Sequence, residues 1–568
     1  MTLAPTVYIG DSAEFITASY TLGVAHPPGF PLYTILGKVF SLIPLNSIAW
    51  RINLMSAFFG ALTVSLVYLI IHKLTKKYLV AAAASLTLGF SQLFWSQSLF
   101  AEVYTLNSFF AVLLFLILLI WSENKKIKNL YWFSFLFGLS ITNHTMMILL
   151  APAFALYIIL VDSQILKNIK LIIKMFLFFL LGLLVYLYLP MRSAQKAEFL
   201  WSEINSLTSF WSHVTRSQYG DVEIFGDILA KLNLGKEFLV ELVRQFLWPA
   251  IVAALTGLIV LFKKSYKLAV FTFAVFIFNS LAIIFLRSIG METNIHEVYK
   301  VYYLPALMVV VIWLGIFISW IIDLVKVKIK FHKVFEVIII ILFFSSAVYL
   351  LTVNFERNDL SNFWLTYNYA KDTLDSMEEN AVLFYIYDGT TTSDTEIFNL
   401  VYLKMVENYR SDIAIISEHN FFYKDFNLEF PLSFFQLDNI SKRDELLKLT
   451  SQINNQDIYI NNILNQRNNS LGFFSLANGL VYKIYPNLEK AKQDITNINF
   501  RVDSIGQERA KEDEVIKKLV AHHYYNLAVL YLNQNNQRQS DYYLQEALRR
   551  FSSQEYIDYL QYQELWQK

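Results

Sequence analysis

The stretch INLMSAFFGALTVSLVYLIIH (52–72) contains no Asp, Glu, Lys or Arg. A run of about 20 mostly apolar residues is long enough to cross a bilayer as a helix. Nine further apolar runs follow, so the sequence predicts a polytopic α-helical membrane protein with about ten spans. The predicted spans are 52–72, 79–97, 104–121, 130–143, 145–161, 171–189, 247–262, 268–287, 302–322 and 334–352, with 130–161 forming a tight helical hairpin.

Composition excludes several classes of function. The 568 residues are 55% hydrophobic and 16% aromatic, with a mean hydropathy of +0.41, which is too apolar for a soluble enzyme. The net charge of +1 gives no general attraction for nucleic acid. The absence of cysteine excludes disulfides, thiolate catalysis and Cys-ligated metal. The sequence shows no P-loop, dinucleotide fingerprint, metalloprotease motif or cleavable signal peptide.

Lysines are distributed unevenly between the loops, which predicts the orientation of the spans. Alternate loops are rich in lysine, whereas the loops near 98–103 and 143–145 contain no Lys or Arg. Because basic loops stay in the cytoplasm, the N-terminal segment, the 190–246 loop and all residues after 352 are expected outside it. The pattern is that of a multi-pass protein of a bacterial inner membrane. The lysine-rich loops contain Lys73, Lys76 and Lys77; Lys125, Lys126 and Lys128; Lys167, Lys170 and Lys174; Lys263, Lys264 and Lys267; and Lys326, Lys328, Lys330 and Lys333.

The segment GDSAEFITASYTLGVAHPPGFP (10–31) lies just ahead of the first span and carries two carboxylates. Asp11 and Glu14 are three residues apart and share a helix face. Such a pair at a membrane surface can take a proton from an attacking hydroxyl, and the alternative interpretation is a capping box at a helix start. His26 is either a site residue or an interfacial polar group, and Pro27-Pro28 alternatively forms a plain connector between two surface helices.

Further candidate site residues lie at the predicted outer membrane edge. Glu102 in FAEVYTLN (100–107) needs a partner or water at this depth, so it has either a structural role in packing or a functional role in the site. Arg192 in LPMRS (189–193) suits phosphate, and snorkelling is its alternative role. His144 in TNHT (142–145) is a lining or turn residue rather than a metal ligand. The remaining candidates are Tyr104, Asn107 and Lys300.

The composition changes after the last span and predicts two further units. Residues 358–487 contain a predicted strand AVLFYIYDG (381–389), a predicted helix TEIFNLVYLKMVENY (395–409) and a second predicted strand DIAIIS (412–417). This order of strand, helix and strand indicates an α/β domain. The tail 488–568 contains HYYNLAVLYLNQNNQRQSDYYLQEALRRF (523–551), which fits one tetratricopeptide unit or an ordinary helical hairpin. The predicted organisation is therefore an external catalytic loop with juxtamembrane helices (1–51), a transmembrane domain (52–357), the α/β domain and the helical tail.

The motifs together resemble a known family. TLAPTV, GDSAEF, LGVAHPPGFPLY, FAEVYTLN, GLSITNHT, LPMRS and HVTRSQYG occur in the order found in the domain-of-unknown-function 2723 family. This is the family of transmembrane protein 260 and is related to the protein O-mannosyltransferases, and the resemblance runs from about residue 2 to residue 420. Two features depart from the family pattern. FLWSEINSLTSF (199–210) keeps only Trp201 and Glu203 of an Asn-Trp-Gly-Asp stretch, and a leading membrane helix is expected upstream of Met1.

The resemblance implies a GT-C type glycosyltransferase. Such an enzyme moves a sugar, here mannose or another hexose, from a polyprenyl-phosphate carrier to a hydroxyl acceptor outside the membrane. By this resemblance Asp11 is the catalytic acidic residue with Glu14 close behind, and Arg192, with Lys300, holds the lipid phosphate. His26 and Glu102 then line the acceptor side. The expected partners are the lipid-linked donor, Ser/Thr of a protein acceptor, the bilayer and a protein bound by the tetratricopeptide-like tail, without nucleic acid.

Other functions and a cofactor remain open from the residues alone. The acceptor is alternatively a lipid or a glycan. A transporter of lipid-linked substrates would show internal repeats and charged midplane helices, which the sequence lacks. A non-catalytic envelope scaffold is the third alternative, and replacement of Asp11 separates it from an enzyme. No metal is required, although Asp11, Glu14 and Glu102 would bind a divalent cation if they converge.

Overall fold

The computed structural model describes residues 1–217, 228–285, 300–385, 391–417, 457–461, 474–485 and 514–551. Two short helices, α1 and α2, precede a bundle of apolar helices, and a mixed α/β unit and a helical hairpin follow the bundle. The helices are α1 Ser12–Thr21, α2 Pro31–Ser41, α3 Ile48–Thr75, α4 Tyr78–Gly89, α5 Gln92–Ser96, α6 Tyr104–Asn124, α7 Ile127–Ile141, α8 Ala151–Val161, α9 Ile169–Leu183, α10 Tyr188–Ala194, α11 Leu207–Thr215, α12 Ile228–Lys264, α13 Tyr266–Phe285, α14 Leu304–Lys328, α15 His332–Asn358, α16 Leu365–Asp375, α17 Thr391–Met405, α18 Glu514–Asn533 and α19 Gln537–Arg550.

Six helices in the described part of the chain are long and apolar enough to span a bilayer, fewer than the ten spans that were predicted. The remaining predicted spans coincide with shorter helices. The span expected at 79–97 shows the reason, because α4 ends at Gly89 and the chain turns at Phe90 and Ser91 before α5. A count of apolar residues does not detect such a turn. The six long helices are Ile48–Thr75, Tyr104–Asn124, Ile169–Ala194, Lys231–Lys264, Lys300–Lys328 and His332–Asn358.

Glycine allows the closest helix contacts in the bundle. Gly257 of α12 lies against the backbone of α14, where an added Cβ would stand 1.9 Å from the carbonyl oxygen of Trp313. Gly138 of α7 lies similarly against α9, with 2.1 Å to the carbonyl oxygen of Phe179. Both pairs of helices therefore pack backbone to backbone, as small residues permit in membrane bundles.

The unit after the bundle contains a five-stranded sheet in the order β2-β1-β3-β5-β4. The first three strands are parallel, and β4 and β5 form an antiparallel hairpin at one edge. The strand–helix–strand order of the sequence is present as β1, α17 and β2, while the predicted turn at 386–389 lies outside the described residues. The strands are β1 Val382–Tyr385, β2 Ala414–Ser417, β3 Ile458–Ile460, β4 Phe474–Asn478 and β5 Val481–Tyr485.

The C-terminal hairpin packs on this sheet. Ala521, Tyr525 and Val529 of α18 share a hydrophobic core with strand residues, and the Tyr482 hydroxyl donates a hydrogen bond to the Asn526 side chain. A single helical hairpin cannot bury a core alone, so the sheet supplies its packing surface.

The N-terminal segment lies between the bundle and the α/β unit and is bonded to both. The amide of Asn53 in α3 donates to the carbonyls of Ala4 and Thr6. From the other side, Thr366 of α16 donates to the Val7 carbonyl at 3.1 Å. The start of α1 is therefore held at a junction of two units.

Candidate active site

The first turn of α1 positions Asp11. Gly10 has φ of +66°, a left-handed conformation that suits glycine and turns the chain into the helix. Its backbone N–H donates to the Thr395 hydroxyl of α17 at 2.8 Å. Within the described residues the Asp11 side chain makes no capping bond, and Glu14 bonds elsewhere, so the capping-box interpretation is wrong.

Glu14 is fully buried and bonded to His26. Its Oε1 accepts the backbone N–H of His26 at 2.6 Å, and its Oε2 lies 2.6 Å from His26 Nδ1. The two residues are twelve positions apart, and the chain reversal after α1 brings them together. Both carboxylate oxygens of Glu14 are therefore occupied by one histidine.

His26 links the buried Glu14 to the accessible Asp11. Its Nε2 lies 3.9 Å from Asp11 Oδ2, and the Asp11 side chain is 37% exposed. Burial opposes a charge on the ring, but the carboxylates of Glu14 and Asp11 outweigh it and raise the pKa of His26 to about 9. The imidazolium form thus predominates at neutral pH, with a proton on each ring nitrogen.

Asp11, Glu14 and His26 lie close enough together to be considered as ligands of a cation. They offer one ligand atom each, all within 4.8 Å of one another. However, both Glu14 oxygens already accept hydrogen bonds from His26, and a protonated ring has no lone pair for a metal. The geometry fits a Glu14–His26 hydrogen-bonded pair with Asp11 in ion-pair distance better than a metal centre.

Glu102 is buried beside the same group. Its backbone N–H is bonded to Ser56, and its Oε2 accepts the N–H of Val103 at 3.2 Å. Burial, followed by the negative charge of Asp11, raises the pKa of Glu102 well above its usual range. Glu102 is therefore a neutral acid that faces the site.

This ionisation predicts a pH-dependent effect of Glu102→Gln on stability. Below the usual glutamate pKa, both folded and unfolded wild type are protonated, so the variant has no advantage. As the pH rises, only the unfolded wild type ionises, and wild type loses about 1.4 kcal/mol of unfolding free energy for each unit of raised pKa. Thermal unfolding of the purified protein between pH 4 and pH 8 should show the advantage of Glu102→Gln growing with pH. An advantage independent of pH would contradict a neutral Glu102.

His144, Tyr104 and Asn107 lie on the bundle side of the site. His144 Nδ1 accepts the Met146 N–H at 3.1 Å, and its ring contacts those of Phe30 and Tyr104. Burial, followed by the charges of Arg216 and His26, lowers the pKa of His144 to about 3. Asn107 and Tyr104 line a small cavity between α6, α13 and α14.

Arg192, one of the two predicted phosphate residues, lies at the opposite end of α1 from Asp11. Arg192 donates from Nε to the Leu22 carbonyl at 2.6 Å and from Nη2 to the Thr21 carbonyl at 3.2 Å. It therefore holds the C-terminal end of α1, whereas Asp11 is at the other end. Lys300 begins a 3-10 turn ahead of α14. Their role at a lipid phosphate stays a prediction.

Two residues that the sequence did not single out lie close to the site. Arg216, at the end of α11, acts electrostatically on both His26 and His144. His213 Nε2 lies 3.1 Å from the Ala25 carbonyl, next to His26, and its Nδ1 lies 2.9 Å from the Ser202 hydroxyl. Both belong to HVTRSQYG, so their presence in a quoted family motif was the available signal.

Comparison with known proteins adds to this geometry. Residues 11–167, which include Asp11, Glu14, His26, Glu102 and His144, match the Protein O-mannosyl-transferase TMEM260 N-terminal domain. Protein O-mannosyl-transferase tmem260 of Dictyostelium discoideum is 25% identical over 559 residues, 87% of this chain. The chain is similar to TMEM260 proteins over this region.

A mammalian TMEM260 protein is also similar to this chain, and the similarity covers only part of each relative. Protein O-mannosyl-transferase TMEM260 of Mus musculus is 34% identical over 256 residues, which is 43% of this chain. The chain matches 66% of the Dictyostelium protein and 35% of the mouse protein. These similarities support the predicted resemblance to the transmembrane protein 260 family. Membership of the domain-of-unknown-function 2723 family stays a prediction.

Solved structures show the fold. ArnT from Cupriavidus metallidurans bound to undecaprenyl phosphate aligns with a TM-score of 0.52 at 11% identity, covering 85% of this chain and 95% of ArnT. The apo state of the same protein gives 0.54 at 10% identity. The predicted polytopic fold of GT-C type is confirmed.

Proposed function

We propose that this chain is a membrane glycosyltransferase of GT-C type that transfers a hexose, mannose in the first instance, from a polyprenyl-phosphate carrier to Ser/Thr hydroxyls of a protein. The observation that carries the proposal is Asp11, an accessible carboxylate backed by the buried Glu14–His26 pair in a fold shared with ArnT. The names of the two TMEM260 relatives support mannose and a protein acceptor.

Asp11 is the base in the proposed reaction. An acceptor hydroxyl attacks the anomeric carbon of the sugar, a new C–O bond forms, and the bond to the phosphate oxygen breaks. The hydroxyl proton passes to the Asp11 carboxylate, and the departing lipid phosphate takes the bonding electron pair. A positioned base of this kind contributes roughly 10²- to 10⁴-fold in rate.

Basic and polar residues around Asp11 serve the two substrates. Arg216, whose charge acts on His26, neutralises the charge of the leaving phosphate. Arg192, at the other end of α1 from Asp11, and Lys300 stay candidates for contacts with the lipid phosphate. Glu102 as a neutral acid donates a hydrogen bond to the acceptor or the sugar. The bond between Gly10 and Thr395 of α17 supports a role for the α/β unit in holding the acceptor.

A transfer assay tests the proposal. The purified chain in lipid nanodiscs is incubated with mannosyl-phosphoryl-undecaprenol and a Ser/Thr-rich peptide, and the peptide is analysed by intact mass. A gain of one hexose on Ser or Thr supports the proposal. Hexose found on added lipid or glycan instead would reassign the acceptor, and no transfer with several polyprenyl donors would reject the enzyme.

The same proposal predicts the orientation of the protein. The lysine distribution places residues after 352 outside the cytoplasm. An alkaline phosphatase fused after residue 360 should be active, and the same phosphatase fused after Lys126 should be inactive. The reverse pattern would put Asp11 in the wrong compartment for an externally presented donor.

A further inference from the structure

Glu14 cannot reach a substrate. Its side chain has no exposed surface, and both oxygens accept hydrogen bonds from His26. A carboxylate in this position acts only through the residue that it holds.

The orientation of the His26 ring is fixed by its neighbours. Its Nδ1 side is fixed by Glu14, and its faces and edges are packed by Phe30 at 4.9 Å and Trp201 at 5.6 Å between ring centroids. Phe15, the neighbour of Glu14 on α1, contacts the ring at 5.6 Å. Rotation of the ring would break the Glu14 bond and these contacts, so Nε2 keeps its direction toward Asp11 Oδ2.

We infer that Glu14 and His26 are positioning residues, and that His26 Nε2–H holds the Asp11 carboxylate in the orientation that accepts the hydroxyl proton. Glu14 is therefore not a second base. The three side chains run from a buried carboxylate through a histidine to an exposed reactive group, and catalytic triads have the same order. At 3.9 Å the two atoms form an ion pair and not a hydrogen bond, so the positive charge of the ring is what holds the carboxylate. This inference rests on the proposed function of Asp11.

Glu14→Gln is the variant that isolates this role. Glutamine keeps an oxygen for the His26 backbone N–H but removes the anion that orients the ring. We expect kcat to fall by about 10- to 100-fold with an acceptor KM within about 3-fold of wild type. Thr17→Val is the matched control, because Thr17 is equally buried one turn further along α1 and its hydroxyl donates to the Ala13 carbonyl. Equal kcat values for Glu14→Gln and Thr17→Val would overturn the inference.

A double-mutant cycle shows whether Glu14 acts through Asp11. If it does, Asp11→Asn/Glu14→Gln should be no slower than Asp11→Asn alone. Additive losses would overturn the inference while leaving Asp11 as the base. An Asp11→Asn variant as active as wild type would reject the base itself, so failure of the proposed function is distinguishable.

Carbodiimide labelling of Asp11, read by mass spectrometry, requires no transfer activity. The Asp11 carboxylate should label at least about 3-fold faster in Glu14→Gln than in wild type or Thr17→Val, because a carboxylate held by a cation is less reactive. Equal labelling rates would overturn the inference whatever the donor. Loss of activity on chelation with recovery on Mn²⁺ would also overturn it, in favour of a metal site.

Discussion

Asp11→Asn should lower the rate of sugar transfer by at least about 100-fold with normal expression. Asparagine has nearly the same shape and keeps an oxygen near His26, but it cannot take the hydroxyl proton. The Asp11 side chain makes no capping bond within the described residues, so its replacement removes no support from α1. Initial rates of peptide mannosylation at saturating donor measure the effect.

Asp162→Asn is the control for this variant. Asp162 is also an aspartate next to a helix, where its Oδ1 accepts the Gln164 N–H at 3.1 Å, but it lies at a lysine-rich loop far along the chain. Its replacement should leave transfer within about 2-fold of wild type. Transfer by Asp11→Asn at a similar level would mean that another group takes the proton.

Gly257→Ala should destabilise the helix bundle by roughly 3 kcal/mol, the upper end of the range for overpacking. The added methyl would stand 1.9 Å from the Trp313 carbonyl oxygen and 2.8 Å from its carbon, and both belong to a backbone that cannot rotate away. Helices α12 and α14 would have to separate. The yield of monodisperse protein and its thermal unfolding in detergent measure the loss.

Gly235→Ala in the same helix is the matched control. Nothing described lies within 4 Å of a Cβ added there, so alanine should be neutral or stabilise the helix by up to about 1 kcal/mol. If both variants unfold like wild type, the close contact of α12 with α14 does not support the bundle.

The sequence predicted the fold well where local patterns decide it. Hydropathy located the apolar helices, and short apolar runs located the buried strands β1 and β2, because burial alone determines those signals. The end of α4 at Gly89 was missed, since a turn inside an apolar run changes no hydropathy average. The pairing of β3 with β1 was equally out of reach, because Ile458 and Val382 are distant in the chain.

The sequence predicted which residues belong to the site but not how they are arranged. Asp11, Glu14 and His26 were all named, but their order in one chain of contacts depends on the chain reversal after α1. Arg192 was assigned to phosphate from its place at a membrane edge. The carbonyls at the end of α1 compete for the same guanidinium, and no sequence pattern records them. Arg216 was overlooked because it follows a helix outside the predicted spans.

The bond between Gly10 and Thr395 couples the position of the α/β unit to that of Asp11, the proposed base. An antibody or cyclic peptide that pulls on α17 from the aqueous side would shift Gly10, and Asp11 moves with its neighbour. For an enzyme with a lipid donor, this offers a route to inhibitors that never enter the bilayer. An exchange of the α/β unit between relatives would therefore have to preserve the hydrogen bond that residue 395 makes with Gly10.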